Sequence, residues 1–403
     1  MKGDKIKILR VIARLNIGGP AIHTILLTHY LDNGIETKLV VGEVSRGEES
    51  MDYLLDRYRV KPVYLNTLKR ELSFIGDIKS VFSLYKIIRE FQPDIVHTHT
   101  AKAGAVGRSA AIIYNLVHFR FGKKSIKLIH TFHGHVFNGY FNRFVTSVFI
   151  GIERFLALFT DRIIAVSDAL KDELADKYRI APGSKIKVIY NGYDLKPFLD
   201  LGGTPDAVHT KNIPAGHAVT ITIVGRLVPI KGHKFLIQAC SMLEFPSRLI
   251  IVGDGVLKEE LVQLAEKLGI VQKVDFLGYK KDVIPVYRDT DIVVLSSMNE
   301  GAPVAVIEAL ACSKPVIATD VGGVRDLLGK KTGSIANGAF LCERGILTPP
   351  ANAESITTSI NYLVNNPGIG YDMGSRGRVF VSKYFTIDRL KENIETLYAE
   401  VLA

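Results

Sequence analysis

Residues 292–310 read IVVLSSMNEGAPVAVIEAL, and this stretch decides the type of fold. Its first four residues form an uninterrupted run of Ile, Val and Leu, which is typical of a strand buried on both faces of a parallel sheet. A polar turn follows, and Pro303 favours the first turn of the helix that the next apolar residues predict. A strand, a short turn and a helix are the repeating unit of a doubly wound α/β sheet.

The same unit recurs on both sides of this stretch. The predicted strands of the first half are Ile6–Ile12, Lys38–Gly42, Ile95–His97, Leu128–Phe132, Arg162–Val166 and Lys187–Tyr190. Those of the second half are Val219–Val224, Arg248–Val252, Val274–Leu277, Ile292–Leu295 and Pro315–Ala318. Residues 195–217 are rich in Pro and Gly without periodicity and are predicted to link the halves. The fold class is therefore α/β, with two Rossmann-like domains whose parallel sheets face across a cleft.

Composition narrows the class of protein. The 403 residues carry a net charge of +10, which favours an anionic partner such as a nucleotide, although a generally basic surface remains an alternative. No RNA-binding aromatic signature or zinc-finger spacing occurs, so nucleic acid is not expected. No signal peptide or spanning apolar segment is visible, and three widely spaced cysteines fit a reducing compartment. We expect a cytoplasmic protein with buried, unreactive thiols.

Glu300 and Glu308 flank the predicted helix start. The free N–H groups and the positive dipole end at this start suit an anion. Glu308 lies one to two turns into the helix, where its carboxylate would accept hydrogen bonds from sugar hydroxyls. The alternative is that Glu300 caps the helix and that Glu308 is a solvated surface residue.

Two cations follow the first strand of the second half. Arg226 and Lys231 come after Gly225, at the end of that strand. A guanidinium binds phosphate oxygens in pairs and an ammonium adds a point charge, so together they would neutralise a diphosphate. The alternative is two solvated loop cations.

Glycines follow other strands. Gly253 lies in a Gly-Asp-Gly turn, and Gly18-Gly19 follows the first strand of the chain. Glycines at such turns let backbone amides come close to a phosphate or a sugar. Neither segment is a full dinucleotide fingerprint, and simple strand-to-helix turns remain the alternative.

Histidines follow two strands of the first half. His97 and His99 end one strand, with Lys102 shortly after, and His133 and His135 end another. Pairs at this spacing, without a cysteine or carboxylate, are not a usual zinc set. We expect no metal, and predict side chains that line a cleft and bind hydroxyls or phosphates, with one structural histidine among them.

Together these motifs resemble the family-4 retaining glycosyltransferases of the GT-B fold, along nearly the whole chain. The resemblance lies in their order. The motifs are Gly18-Gly19, His97–Gly104, Thr131–His135, Ala165–Ser167, Val188–Gly192, Gly225-Arg226 with Lys231, Val252–Gly255, Phe276–Gly278, and the Glu300/Glu308 pair.

The resemblance implies a role for each of these residues. Arg226 and Lys231 would bind the donor diphosphate, Glu300 the donor sugar and Glu308 the ribose. His133 would lie beside the transferred sugar. The predicted catalytic set comprises His133, Arg226, Lys231 and Glu300. The donor-binding set comprises Gly18, Gly19, Gly225, Gly253, Gly278, Gly301, Ala302, Pro303, Val304 and Glu308. The acceptor-side set comprises His97, His99, Lys102 and His135.

The resemblance also implies transfer with retention of anomeric configuration, without a metal or a cofactor. A UDP-sugar is favoured over a GDP-sugar as donor.

The final helix would return to the first domain, which gives domains of 1–194 with 386–403 and of 218–385. Family members often carry Pro-Glu after a Gly-Gly-x unit, which is Gly322–Val324 here, but this chain has Arg325 and Asp326 at those positions. The nearby sugar contacts are therefore less defined by the resemblance.

The acceptor and its location follow from the same resemblance. Many members of the family act on lipid-linked acceptors at the inner leaflet, which implies a lipid-linked or cell-surface glycan precursor as the acceptor here. The mixed aromatic and basic segments 114–127 and 137–159 would form a peripheral membrane face, and a buried helix with a solvated loop is the alternative. Two other functions remain open: a nucleotide-sugar epimerase or phosphorylase of the same fold, and a non-catalytic nucleotide-sugar-binding subunit.

Overall fold

The computed structural model describes residues 5–16, 18–31, 34–44, 50–69, 73–119, 125–134, 143–201 and 218–403. The chain divides into two compact units. The first comprises Met1–Tyr193 with Ile387–Ala403, and the second comprises Asp194–Thr386. We call them the first and second domains.

The strands are β1 (Ile6–Ile12), β2 (Ile35–Gly42), β3 (Val63–Leu65), β4 (Ile95–His99), β5 (Lys127–Phe132), β6 (Arg162–Ala165), β7 (Ile186–Val188), β8 (Val219–Val224), β9 (Ser247–Val252), β10 (Val274–Gly278), β11 (Ile292–Leu295), β12 (Val316–Thr319), β13 (Lys331–Ser334), β14 (Phe340–Cys342) and β15 (Gly345–Thr348). The helices are α1 (Gly19–Tyr30), α2 (Asp52–Arg57), α3 (Phe74–Phe91), α4 (Ala101–Phe119), α5 (Arg143–Phe159), α6 (Asp168–Asp172), α7 (Lys196–Leu201), α8 (His233–Ser241), α9 (Lys258–Lys267), α10 (Ile284–Asp289), α11 (Val304–Ala311), α12 (Val324–Leu328), α13 (Ala353–Asn365), α14 (Pro367–Tyr384) and α15 (Ile387–Leu402).

The first domain is built on a parallel sheet with the order β3-β2-β1-β4-β5-β6-β7 among its described residues. Its central strands are mostly buried, and they carry buried polar side chains such as Arg10 and His97 beside the expected apolar residues. The last helix, α15, packs on α1, and its buried stripe includes Leu390, Ile394 and Leu397. The sheet therefore presents the carboxyl ends of β1, β4 and β5 side by side.

The second domain contains a sheet with the order β10-β9-β8-β11-β12-β15-β14-β13. It is parallel from β10 to β15, and β14 and β13 add an antiparallel edge. The predicted leucine stripe lies on α9, where Leu261 is buried and Leu257, Leu264 and Leu268 pack against the domain core. Two doubly wound α/β domains confirm the predicted fold class.

Some elements differ from the predictions. Strand β3 was not predicted, because three residues carry too little pattern to detect. Strands β13, β14 and β15 were not predicted either. Strand β13 is exposed throughout and lacks an apolar face, and β14 and β15 have only three and four residues. The predicted linker begins with a helix, α7, which packs on α10 and α11 of the second domain. Residues 202–217 of that linker lie outside the described part.

The three cysteines are free and buried, which confirms the expected state of these thiols. Burial raises the pKa of Cys240 and of Cys312 to about 12, so both thiols stay protonated and unreactive at neutral pH. Across the described residues, none of the helices combines the length and apolar character needed to cross a membrane.

Candidate functional site

The loops after three neighbouring strands of the second domain are joined through their backbones. The Gly225 N–H donates to the Val252 carbonyl at 2.9 Å, and the Gly253 N–H donates to the Gly278 carbonyl at 2.9 Å. These loops follow β8, β9 and β10. The structure thus brings the predicted glycines Gly225, Gly253 and Gly278 together at the carboxyl edge of the sheet, where α/β proteins bind ligands.

Gly253 has a steric reason to be glycine. Its φ is +136°, and a Cβ built there would lie 2.0 Å from the Gly225 carbonyl oxygen. Any side chain would push the loops after β8 and β9 apart. The close approach of these backbones therefore depends on a missing side chain, which the sequence showed only as a Gly-rich turn.

Lys231 and Glu300 form an ion pair at the same edge. Lys231 Nζ lies 2.6 Å from Glu300 Oε1, and the Ser297 hydroxyl donates to that oxygen at 2.6 Å. The side chains of Lys231 and Glu300 are 21% and 10% exposed. The Met298 N–H donates to the Ile230 carbonyl at 2.7 Å, which fixes the two loops together. Lys231 is therefore a held cation and not a solvated one.

Helix α11 begins where the sequence predicted, with Pro303 as its N-cap and no side chain capping it. The alternative in which Glu300 caps the helix is therefore wrong. Of the first N–H groups of the helix, those of Val306 and Ile307 donate to the Pro303 carbonyl at 3.2 and 3.3 Å, which leaves those of Val304 and Ala305 without an acceptor in the helix. Gly301 and Ala302 lead into this start, so their amides and the helix dipole form a positive edge beside Glu300.

Arg226 lies in the loop after β8, together with Lys231. It is partly exposed, and among the residues that the structure describes no carboxylate pairs with its guanidinium. A guanidinium without a protein counter-ion is suited to phosphate.

Glu308 is half-buried on α11, so the alternative of a solvated surface residue is wrong. The Tyr287 hydroxyl donates to Glu308 Oε2 at 3.0 Å. Burial raises the pKa of Glu308 to about 7, while the hydrogen bond from Tyr287 lowers it. Tyr287 was not predicted from the sequence, because it lies on the short helix α10 and belongs to none of the motifs.

Arg325 and Asp326, which stand where the resembled family often has Pro-Glu, lie at the start of α12. Arg325 forms an ion pair with Asp320, the residue that follows β12. Lys331 also contacts Asp320, at 3.3 Å. The departure from the family pattern thus belongs to a local ion-pair group at the end of β12.

In the first domain, Gly18 and Gly19 begin α1. Gly18 is the N-cap with φ of +155°, and no side chain caps the helix. A residue with a Cβ rarely adopts this φ, so the turn favours glycine. A helix start without a side-chain cap suits an anion, and the donor contact expected of Gly18 and Gly19 stays a prediction.

The predicted histidines lie at the ends of β4 and β5. His99 Nδ1 and His133 Nε2 are 3.0 Å apart and share a hydrogen bond. His97 contacts the Tyr398 hydroxyl at 2.7 Å and the Thr131 hydroxyl at 2.8 Å, so both of its ring nitrogens have partners. His97 is therefore the structural histidine that was expected in this set. His135 lies outside the described residues.

His23 of α1 joins this cluster, although no role is predicted for it from the sequence. Its ring lies edge-on to that of His133, with centroids 4.9 Å apart. Burial lowers the pKa of His23 and His99 well below the usual value, and lowers that of His133 to about 3. All three rings are therefore neutral at physiological pH. Only its place one turn after Gly18-Gly19 could have signalled His23.

These three histidines are close enough together to bind one metal ion, because one ring nitrogen from each lies within 4.8 Å of the others. A metal-bound histidine normally donates its second ring nitrogen to an acceptor. Among the described residues, His99 Nε2 and His133 Nδ1 have no hydrogen-bond partner. Within the described ranges the outer support of a metal site is therefore missing, and the absence of a metal stays our prediction.

Lys102, predicted on the acceptor side, pairs with Asp77 of α3 at 2.8 Å. Its side chain is 13% exposed, so the ammonium is held by this carboxylate at the contact between α3 and α4. The structure therefore gives Lys102 a carboxylate partner on α3.

Comparisons with known proteins agree with this architecture. Residues 17–197 match the model of Glycosyltransferase Family 4, and residues 208–380 match that of Glycosyl transferases group 1. Over 278 residues, the chain is 31% identical to the UDP-Gal:alpha-D-GlcNAc-diphosphoundecaprenol alpha-1,3-galactosyltransferase of Escherichia coli, covering 68% of this chain and 69% of that protein. It is 27% identical to the capsular polysaccharide biosynthesis glycosyltransferase CapM of Staphylococcus aureus, covering 85% and 86%.

Solved structures show the same fold. HepE of Anabaena, in complex with UDP and glucose, matches with a TM-score of 0.76 and 22% identity, covering 98% of this chain and 100% of that one. The sucrose-phosphate synthase of Thermosynechococcus elongatus also matches at 0.76, with 20% identity and coverage of 98% and 99%. The fold, the matches to both family models and a relative above 30% identity lead to one conclusion. The chain belongs to the family-4 glycosyltransferases of group 1, which have the GT-B fold.

Proposed function

We propose that this glycosyltransferase moves a sugar from a UDP-sugar to a lipid-linked or cell-surface glycan precursor, with retention of anomeric configuration. The observation that carries the proposal is the Lys231–Glu300 pair beside the uncapped start of α11. Two relatives support the acceptor class, since one is named for a diphosphoundecaprenol acceptor and the other for capsular polysaccharide biosynthesis. The first name also specifies a UDP-sugar.

The chemistry follows from the charges at the edge of the second sheet. The leaving diphosphate would accumulate negative charge, which Arg226, Lys231 and the N–H groups of α11 would stabilise. Glu300 would accept hydrogen bonds from the donor sugar, and Glu308 from the ribose. No carboxylate is assigned as a nucleophile.

The histidine cluster of the first domain would serve the sugar side of the reaction. His133 is neutral, so it would bind a hydroxyl through Nδ1, because its Nε2 is held by His99, and it would not supply an imidazolium proton. Its hydrogen bond with His99 fixes the orientation of the ring. His97 and Lys102, already held by other side chains, would act only indirectly.

The first domain also has an exposed apolar face on three neighbouring helices, α3, α4 and α5. We call it the apolar face, and its largest exposed residues are Phe74, Ile75, Phe82, Leu116, Phe144, Phe155 and Leu158. Arg154 is exposed among them, and Lys185 donates to the Ala157 carbonyl at the end of α5. Aromatic and aliphatic side chains next to cations suit the interface of an anionic membrane. We propose that the enzyme is cytoplasmic and binds the inner leaflet through this face.

Product analysis tests the proposal. Purified enzyme would be incubated with UDP-sugars or GDP-sugars and a polyprenyl-diphosphate-linked sugar in vesicles. We expect a new glycosidic bond with the anomeric configuration of the donor, from a UDP-sugar. An isomerised nucleotide sugar would indicate an epimerase, phosphate-dependent cleavage a phosphorylase, and binding without turnover a non-catalytic subunit.

A further inference from the structure

Tyr287 of α10 contacts the carboxylate of Glu308, the residue of α11 that is proposed to bind the donor. Its side chain is 0% exposed, and its hydroxyl lies 3.0 Å from Glu308 Oε2 and 3.1 Å from the Ala305 carbonyl oxygen. A phenol has one proton to donate, and a carboxylate is a stronger acceptor than a backbone carbonyl. The proton is therefore directed mainly to Glu308.

The ring of Tyr287 is held in place by α7. Phe198 packs edge-on against it, with ring centroids 5.9 Å apart. Arg378 in turn donates to the Leu199 carbonyl at 2.7 Å and to the Ala311 carbonyl at 2.9 Å, which ties α7 to the end of α11. The Tyr287 hydroxyl is thus fixed relative to the helix that carries Glu308.

We propose that Tyr287 is a positioning residue for the donor nucleotide, because its hydroxyl holds Oε2 of Glu308 and leaves Oε1 to accept hydrogen bonds from the ribose. This inference rests on the proposed donor site. Tyr287 itself does not touch the donor. It prevents the half-buried carboxylate from rotating and supplies a hydrogen bond that water supplies at an exposed site.

The charge of Glu308 gives this arrangement a measurable pH dependence. Burial raises the pKa of Glu308 to about 7, and the hydrogen bond from Tyr287 opposes this rise. Burial, and then the charge of Glu308, raises the pKa of Tyr287 well above its usual value, so the phenol keeps its proton. Cys312 also lies near this carboxylate, and its thiol is neutral because burial raises its pKa to about 12. Lys314 and Arg378 are cations near Cys312.

Tyr287→Phe removes only the hydroxyl and tests the inference. UDP-sugar affinity at pH 7 should fall about tenfold, the typical loss for a hydrogen bond to a charged group, with kcat within about twofold. Wild-type affinity should rise with pH through about 7, and in the variant this midpoint should move upward. Tyr362→Phe, the same change at a partly buried tyrosine packed against the core of the same domain, is the matched control and should leave both unchanged.

Glu308→Ala separates the inference from the function on which it rests. If Glu308→Ala leaves donor affinity unchanged, the donor-site assignment fails. If Glu308→Ala weakens the donor but Tyr287→Phe neither weakens it nor shifts the pH midpoint, the positioning role fails. A Tyr287→Phe variant that only melts earlier also overturns it. In the Glu308→Ala background, Tyr287→Phe should add no further loss of affinity.

Discussion

Lys231 has a carboxylate partner in the protein and a phosphate partner in the proposed reaction. Its ammonium is held 2.6 Å from Glu300 Oε1, and Ser297 binds the same oxygen. A cation fixed in advance stabilises developing charge without reorganisation. The pair thus places Lys231 for the leaving diphosphate, while Glu300 remains available through its second oxygen.

We predict that Lys231→Ala lowers kcat by about 100-fold or more, because a fixed charge at a developing oxyanion contributes on that scale. Donor KM should change less. Steady-state kinetics with a UDP-sugar would measure both, and Lys258→Ala on the exposed side of α9 is the control. An unchanged kcat in Lys231→Ala would contradict the assignment.

Gly253 makes a prediction about stability. Gly253→Ala places a Cβ 2.0 Å from a backbone oxygen at a φ of +136°, so it should destabilise the second domain by about 2 kcal/mol or more and weaken donor binding. Gly368→Ala, with no atom within 4 Å of its Cβ, should be neutral or slightly stabilising. Urea unfolding would measure both variants, and equal stability of the two would refute the steric argument.

At the scale of elements, periodicity predicted the long helices well. The stripes on α9 and α15 are buried as their spacing indicates. Short elements such as α7 and β3 were missed, because a six-residue helix or a three-residue strand shows less than one clear period. Their positions depend on packing against neighbours that are distant in sequence.

Helix α5 is the element on which the membrane proposal can be tested. The double variant Phe155→Glu/Leu158→Glu should reduce binding to anionic phospholipid vesicles at least tenfold, because each exposed apolar side chain contributes roughly 1.5 to 3 kcal/mol when buried. Val379→Glu, an exposed valine on α14, is the control. Co-sedimentation would measure binding, and equal binding of the double variant and wild type would show that α5 is not the contact.

At the scale of the whole molecule, the buried histidines predict acid sensitivity. Burial lowers the pKa of His133 to about 3 in the folded state, against about 6.5 unfolded. The unfolded chain therefore binds more protons, and this stabilisation, complete above pH 6.5, is lost as the pH falls towards 3. Between pH 6.5 and 5.0, His133 alone should lower the free energy of unfolding by about 2 kcal/mol. His23, His97, His99 and His130 act in the same direction.

Urea unfolding at pH 7.5 and pH 5.0 would measure this loss. His23→Gln removes one group that must stay neutral, so it should reduce the difference between the two pH values. His29→Gln, at an exposed histidine of the same helix, should reduce it less. A stability that is the same at both pH values would show that these histidines are not buried and neutral.

The sequence by itself determined the alternating strands and helices, the turn glycines and most residues of the donor edge. These features are local, because the pattern of burial and the chemistry of a turn are set by residues adjacent in the chain. It did not determine which side chains would meet. His97 contacts Tyr398 across 301 residues, and Tyr287 contacts Glu308 across 21.

Only the tertiary structure decided those pairings. Parallel strands bring their carboxyl ends to one edge, but the strand order decides which ends are neighbours, and packing decides which side chains are held. His97 and Lys102 were thereby bound to other side chains, while His23 entered the histidine cluster. The sequence identified the types of residue in the site. Their partners depend on contacts between segments, which the order of residues along the chain does not specify.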